Sequence, residues 1–242
     1  MRITNHGSYL IQLTRYPLWF PVNCYLAREE DGLTLIDTGL PGSAAAILDA
    51  AHGLDMPIRR IVLTHAHADH VGSLDALRQL LPEAEVLVSA RDARFLAGDM
   101  SLDPDEPALK LRGSYQTTAA RPDRLLYEGD QAGSLQVVAS PGHTPGHIAL
   151  FDPRDGALIA GDAFQTRAGV AVAGVVRLLF PFPALATWSR PLALASARRL
   201  RALQPARLAT GHGEVLEQPL VEMDQAISVA ARALGEMQPH GA

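Results

Sequence analysis

The hexapeptide His65-Ala66-His67-Ala68-Asp69-His70 places three imidazoles and one carboxylate within six residues, directly after the apolar run Arg60-Ile61-Val62-Leu63-Thr64. A strand points alternate side chains to opposite faces, so four such neighbours cannot converge while the chain stays extended. The run Arg60–Thr64 reads as a strand and the hexapeptide as the loop at its end. His65 and His67 can meet at one metal ion. Asp69 and His70 continue into the start of a helix and can face a second.

A catalytic zinc takes about three protein ligands and keeps a position open. The chain offers further ligands in matching settings. His143 lies in Ser140-Pro141-Gly142-His143-Thr144-Pro145-Gly146-His147, Asp162 in Leu158-Ile159-Ala160-Gly161-Asp162, and His212 in Leu208-Ala209-Thr210-Gly211-His212-Gly213. Each follows a strand-like run, so all occupy the same niche, one edge of a pair of sheets. His147 begins a strand and reads as a structural hydrogen-bonding group. His6, His52 and His240 lie outside every motif and read as surface residues.

Apolar periodicity predicts strands at Tyr9–Leu13, Val22–Ala27, Leu33–Asp37, Arg60–Thr64, Glu85–Val88, Leu135–Ala139, His147–Phe151, Ala157–Ala160 and Arg207–Thr210. It predicts helices from Ser43 to about His52, Val71 to Leu81, about Thr187 to Leu203, and about Gln218 to Leu234. A short helix at Ala90–Ala97 opens a weakly patterned stretch, Arg91–Arg124, read as an insertion over the site. Strands followed by helices in each half suggest two sheets with helices outside, in a single domain spanning 1–242.

The net charge is −5 and no basic tract forms a nucleic-acid footprint. Arg198-Arg199 with Arg201 reads as the solvated face of a helix. Cys24 is the only cysteine, so no intramolecular disulfide is possible, and its apolar setting reads as a buried small hydrophobe. The N-terminal residues lack the apolar core of a signal peptide. The longest apolar candidate, Ala168 to Ala184, is interrupted by Gly174, Arg177, Pro181 and Pro183. A soluble cytoplasmic protein that engages no membrane is expected.

From Asn23 to His212 the chain resembles the metallo-β-lactamase superfamily of metallohydrolases, with five sequence motifs in order. The resemblance implies an α/β αββα sandwich, two mixed β-sheets packed face to face with helices on both outer faces. It implies that His65, His67 and His143 bind one metal, that Asp69, His70 and His212 bind another, that Asp162 bridges them, and that Asp37 of Leu35-Ile36-Asp37-Thr38-Gly39 supports the site. The implied cofactors are two divalent ions, zinc first, with iron or manganese also suited to these ligands. The implied chemistry is hydrolysis of an ester, lactone or thioester by a hydroxide shared between the metals, with Asp69 as the catalytic acid/base.

Retention of both Asp69 and His70 resembles the lactonase and glyoxalase II-like branches rather than true β-lactamases. Lactonases of the best-known type carry a tyrosine shortly after the bridging aspartate, where this chain has Ala163-Phe164-Gln165-Thr166. The alternative reading is a mononuclear iron-dependent persulfide dioxygenase. The expected substrate is a small molecule with an apolar portion, walled by Phe164–Ala184 and the Arg91–Arg124 insertion. The Phe164–Ala184 segment equally suits a core or a homodimer interface, and Arg167 or Arg177 could meet an anionic substrate group.

Overall fold

In the strand β3 (Val22–Glu29), Cys24 and Leu26 enter one apolar cluster while Tyr25 and Ala27 enter another. A strand buried on both faces must be sandwiched between layers. The same alternation recurs in β4 (Gly32–Ile36), β5 (Ile58–Leu63) and β6 (Glu85–Ser89). The computed structural model of the protein describes residues 1–236, so His240 and the last residues of the expected domain lie outside them.

The first sheet has seven strands in sequence order, from β1 (Arg2–His6) and β2 (Leu10–Arg15) through β3, β4, β5 and β6 to β7 (Arg124–Leu126). β4 to β7 are parallel and the others antiparallel. On its outer face lie α1 (Ala44–Gly53), α2 (Ala68–Val71), α3 (Leu74–Leu80) and α4 (Ala90–Leu96). The second sheet uses β8 (Gln131–Ala132), β9 (Leu135–Ala139), β10 (Ile148–Asp152), β11 (Ala157–Ile159), β14 (Arg207–Ala209) and β15 (Leu216–Glu217). A ribbon of β12 (Phe164–Gln165) and β13 (Ala171–Val172) lies beside it. The short helix α5 (Phe182–Leu185) leads to α6 (Arg190–Ala202) and α7 (Leu220–Ala233), the helices packed on this sheet. One core lies between the sheets and one under each helical layer. The architecture is the expected αββα sandwich.

Three local readings change. β1 was not expected, because an edge strand with partly exposed polar side chains carries little apolar signal. The helix expected over Val71–Leu81 breaks at Gly72-Ser73, where the Leu40–Pro41 turn crosses it. Ser73 Oγ donates to the Leu40 carbonyl at 2.7 Å, and a Cβ on Gly72 would lie 2.5 Å from Pro41 Cδ. The helix expected from Thr187 starts at Arg190, because the Trp188 and Ser189 amides are spent on the carbonyls of His143 and Gly142 at 3.0 and 2.8 Å. The short helix expected at Ala90–Ala97 is present as α4, with Asp92, Phe95 and Leu96 buried.

Cys24 is buried, His52 exposed and His6 half-buried on Gln12. Arg198 and Arg199 are exposed and Arg201 is half-buried, and they are ion-paired to Glu236, Glu128 and Asp224. No helix among the described residues is long and apolar enough to cross a membrane.

Candidate metal centre

The seven expected ligands follow four strand ends at one edge of the sandwich. His65 to His70 follow β5, His143 follows β9, Asp162 sits in a 3-10 turn (Gly161–Ala163) after β11, and His212 follows β14. The sheets are joined at this edge. The Ile148 amide donates to the Thr64 carbonyl and the Asn23 amide to the Gly211 carbonyl, both at 2.9 Å, and Tyr25 Oη donates to the Thr210 carbonyl at 2.7 Å. These bonds tie the two sheets together at this edge.

Each of five histidines is gripped at its outer ring nitrogen. His67 Nε2 lies 3.0 Å from the Arg112 carbonyl, His212 Nδ1 2.7 Å from the Pro21 carbonyl and His70 Nδ1 2.7 Å from Asp37 Oδ2. These partners accept only, so those ring nitrogens donate. His65 Nδ1 lies 3.0 Å from Thr64 Oγ1, whose proton goes to Asp37 Oδ2; His143 Nδ1 lies 3.1 Å from Thr187 Oγ1, whose proton goes to the Pro183 carbonyl. Both hydroxyls therefore accept from the rings as well. In all five, the hydrogen-bond partners assign the donor to the outer nitrogen and aim the inner one at a common space.

The inner atoms converge. His65, His67 and His143 form one group, His65, His70 and Asp162 a second, and Asp69, His70 and His212 a third, with ligand atoms within 4.8 Å of one another in each. Asp162 Oδ2 lies 3.4 Å from His143 Nε2 and 3.2 Å from His212 Nε2, so one carboxylate reaches both halves. The expected residues are thus brought together, with His65 closer to His70 and Asp162 than a strict division into two trios requires. His67 Nδ1 and His143 Nε2, the inner nitrogens of both rings, face each other at 3.0 Å. His65 Nε2, His70 Nε2 and Asp162 Oδ1 are buried with no hydrogen-bond partner. Buried polar atoms are almost always paired. Facing lone pairs and orphaned acceptor atoms in one pocket fit a metal cation. Gly211 leaves the necessary room, since a Cβ there would lie 2.1 Å from Asp162 Oδ1.

The two halves differ in charge. Burial and the neighbouring rings hold His65 well below the usual imidazole range; burial also holds His143 well below it and brings His67 down to about 4. Burial acts likewise on His70 and His212, but carboxylates outweigh it: Asp37, Asp162 and Asp69 raise His70 to about 9, and Asp162 and Asp69 raise His212 well above its usual range. Against burial, the histidines around Asp69 and Asp162 hold both carboxyls below their ordinary range. One half is a neutral imidazole trio and the other an acid-rich pair of imidazoles. Asp69, with a quarter of its side chain exposed, is the most exposed of the expected ligands.

His147 is not aimed at this space. Its Nδ1 lies 2.8 Å from Ser140 Oγ, and its Nε2 accepts from the Asp162 amide at 3.1 Å. It holds the Asp162 amide from behind, a hydrogen-bonding role.

Three features lay outside the sequence reading. Asp92 is fully buried and accepts from the Ala66 amide and Thr144 Oγ1 through Oδ2, at 2.9 and 2.8 Å, and from the Gly146 amide through Oδ1 at 2.8 Å. It ties the hexapeptide loop to the His143 loop. The Arg112 carbonyl and Thr187 hydroxyl orient His67 and His143. Phe20 and Phe180 pack on the His212 ring, with centroids 5.6 and 5.4 Å away.

The expected walls divide. In the Phe164–Ala184 segment, Val172 and Phe180 are buried and Val170 and Val175 pack on the second-sheet core, while Leu178 and Leu179 are 92% and 88% exposed. Arg167 and Arg177 do not face the site as free cations: they donate to the carbonyls of Leu18 and Val170. Arg167 thereby ties the Leu18-Trp19 loop to this wall.

The family model described as "Metallo-beta-lactamase superfamily" matches residues 17–212. An uncharacterized protein of Bacillus subtilis, YobT, is 48% identical over 96% of this chain and 100% of its own length. A hydroxyacylglutathione hydrolase of Aeromonas salmonicida is 33% identical over 57% of this chain and 44% of that protein. Among solved structures, TTHA1623 in a di-iron-bound form is 30% identical with a TM-score of 0.62, covering 86% of this chain and 95% of that one.

Proposed function

The chain belongs to the metallo-β-lactamase superfamily, and on that premise we propose that it is a two-metal hydrolase of a carboxylic ester, lactone or thioester. The observation that carries this reading is the reach of Asp162, whose one carboxylate approaches His143 on one side and His212 and His70 on the other. His65, His67 and His143 would hold one metal, Asp69, His70 and His212 the other, with Asp162 between them. The similarity to a protein solved in a di-iron-bound form supports two metals and keeps iron beside zinc and manganese as a candidate. The similarity to a hydroxyacylglutathione hydrolase favours a thioester within the class.

When bound, two divalent ions would supply Lewis acidity and a water made acidic enough to attack near neutral pH. The protein's own residues do the rest. Asp69, a partly exposed carboxylate beside His70 and His212, orients the attacking water and carries a proton to the leaving group. Asp37, Thr64, Thr187 and the Arg112 and Pro21 carbonyls keep the five rings in one tautomer, so little reorganisation is needed during reaction. Phe20, Phe180 and Phe182 form an aromatic cluster against His212 that excludes water and meets an apolar substrate portion. A cytoplasmic setting accords with this role.

The mononuclear iron reading leaves Asp69, His70 and His212 without a use. Metal quantification on protein purified without added metal, with a panel of lactones, thioesters and glutathione persulfide, tests the proposal. Two metal equivalents with ester or thioester turnover are expected. One iron with oxygen-dependent sulfur chemistry would overturn it.

A further inference from the structure

Of the chain's 21 lysines and arginines, all but Lys110, Arg112, Arg190 and Arg232 have a side-chain hydrogen bond or ion pair among the described residues. Two of these four, Arg112 and Arg190, line the same cavity of about 230 Å³, between the Leu109–Arg112 segment and the start of α6. Thr187, Trp188 and Pro191 are also in its wall, and no aspartate or glutamate lines it. In a chain of net charge −5, two arginines without an ion pair lining one cavity that no acid lines depart from the pairing seen elsewhere.

The cavity adjoins the metal centre. Thr187 Oγ1 is bonded to the outer nitrogen of His143, and the carbonyl of Arg112 itself to the outer nitrogen of His67. One imidazole ring therefore separates the cavity from the inner nitrogens on that side. Its wall is built rather than incidental: Trp188 is 4% exposed, and its indole Nε1 donates to the Leu109 carbonyl at 3.1 Å. The free amide end of α6 adds partial positive charge, and Ser189 supplies no side-chain cap there.

We propose that this cavity receives an anionic group of the substrate, a carboxylate or phosphate, while the acyl centre lies at the metals. Guanidinium forks match both anions in charge and geometry. This rests on the hydrolase reading and narrows it to substrates with an apolar portion toward His212 and an anionic portion beyond His143 and His67.

Two measurements separate this inference from the reading beneath it. In the first, metal-free protein is titrated with succinate and, separately, inorganic phosphate, following the Trp188 indole N–H by NMR. Saturable movement with either anion, lost in the Arg112→Gln/Arg190→Gln double variant, supports the cavity, and the stronger anion names the group. No movement, or movement kept in the double variant, overturns it. In the second, metal-loaded protein is offered the S-acetyl thioesters of mercaptosuccinate and of thioglycerol, one anionic and one neutral. A preference for the anionic thioester in kcat/KM is expected, falling about tenfold or more in the double variant. A preference that is absent, or that survives both substitutions, overturns the proposal. Turnover of neither thioester counts against the hydrolase reading, and the anion titration then decides the cavity alone.

Discussion

His70 Nδ1 lies 2.7 Å from Asp37 Oδ2, and the same carboxylate accepts from Thr64 Oγ1 at 2.8 Å, the hydroxyl that holds His65 Nδ1. One acid therefore sets the orientation of two imidazoles on opposite halves of the centre. Asp37 has φ of 60°, in the left-handed region that asparagine tolerates as well as aspartate does. Asp37→Asn thus removes charge and one acceptor without adding backbone strain. Metal affinity should fall by about 10- to 100-fold, as for other groups that orient a histidine ligand. Chelator competition measures this, and far-UV circular dichroism should stay unchanged. Full affinity in the variant would remove Asp37 from the role.

Asp92 carries a pH signature. Burial pushes its carboxyl up to about 6, against three donors that lower it. The folded chain therefore holds this proton more tightly than the unfolded chain, whose carboxyl titrates near 3.8. Between these values the folded state binds the extra proton, so this contribution falls as pH rises through the window. Asp92→Asn abolishes the term. The unfolding free energy of metal-free wild type minus that of the variant should drop by about 2 kcal/mol between pH 4 and pH 7 in urea titrations. A difference that grows with pH would mean that the Ala66, Thr144 and Gly146 donors outweigh burial.

What the sequence disclosed and withheld follows from how each residue acts. The candidate ligands were legible because metal binding needs particular side chains at particular loop positions, and His65 to His70, His143, Asp162 and His212 all follow apolar strands. The layers were legible from the same apolar alternation that Cys24–Leu26 and Tyr25–Ala27 display across β3. Asp92 was not legible, because an acid in the first turn of a helix has an ordinary local explanation. Arg112 and Pro21 act on His67 and His212 through carbonyls, which carry no sequence signal. The break at Gly72-Ser73 depends on a distant turn at Leu40–Pro41.

His147 should support the centre without binding metal. Burial brings its imidazole down to about 3, so it stays neutral and accepts from the Asp162 amide at neutral pH. His147→Gln should keep two metal equivalents at saturating metal and bind them more weakly, because Asp162 loses its brace. Elemental analysis after equilibrium dialysis checks this. A loss of one full equivalent at saturation would make His147 a ligand.

Gly211 should tolerate no side chain. Its φ is not positive, so the constraint is space alone: an alanine Cβ would sit 2.1 Å from Asp162 Oδ1 and 2.6 Å from His70 Cε1. Gly211 also pairs its amide with the Gly161 carbonyl at 2.9 Å, which limits retreat of the loop. Gly211→Ala should cost about 1–3 kcal/mol of stability through overpacking and displace the bridging carboxylate. Bound metal should fall more than thermal stability does. Unchanged metal content would show that the two loops can separate.

The apolar rim beside His212 separates two outcomes. Leu18, Trp19, Leu178 and Leu179 are each 74% exposed or more, and Arg167 holds the Leu18 loop to the other wall. Exposed apolar side chains this close to an active centre mark a contact with substrate or with another chain. If they meet an acyl chain, Leu178→Ser with Leu179→Ser should lower kcat/KM increasingly as the acyl group lengthens, since each buried methylene contributes about 0.8 kcal/mol. Acetyl substrates would then be little affected, and sedimentation would report the same mass for both proteins. If the rim instead joins two copies of the chain, the double variant should halve the sedimenting mass while the chain-length dependence of kcat/KM stays as in the wild type. A variant unchanged in both measurements would remove the rim from substrate binding and from assembly alike.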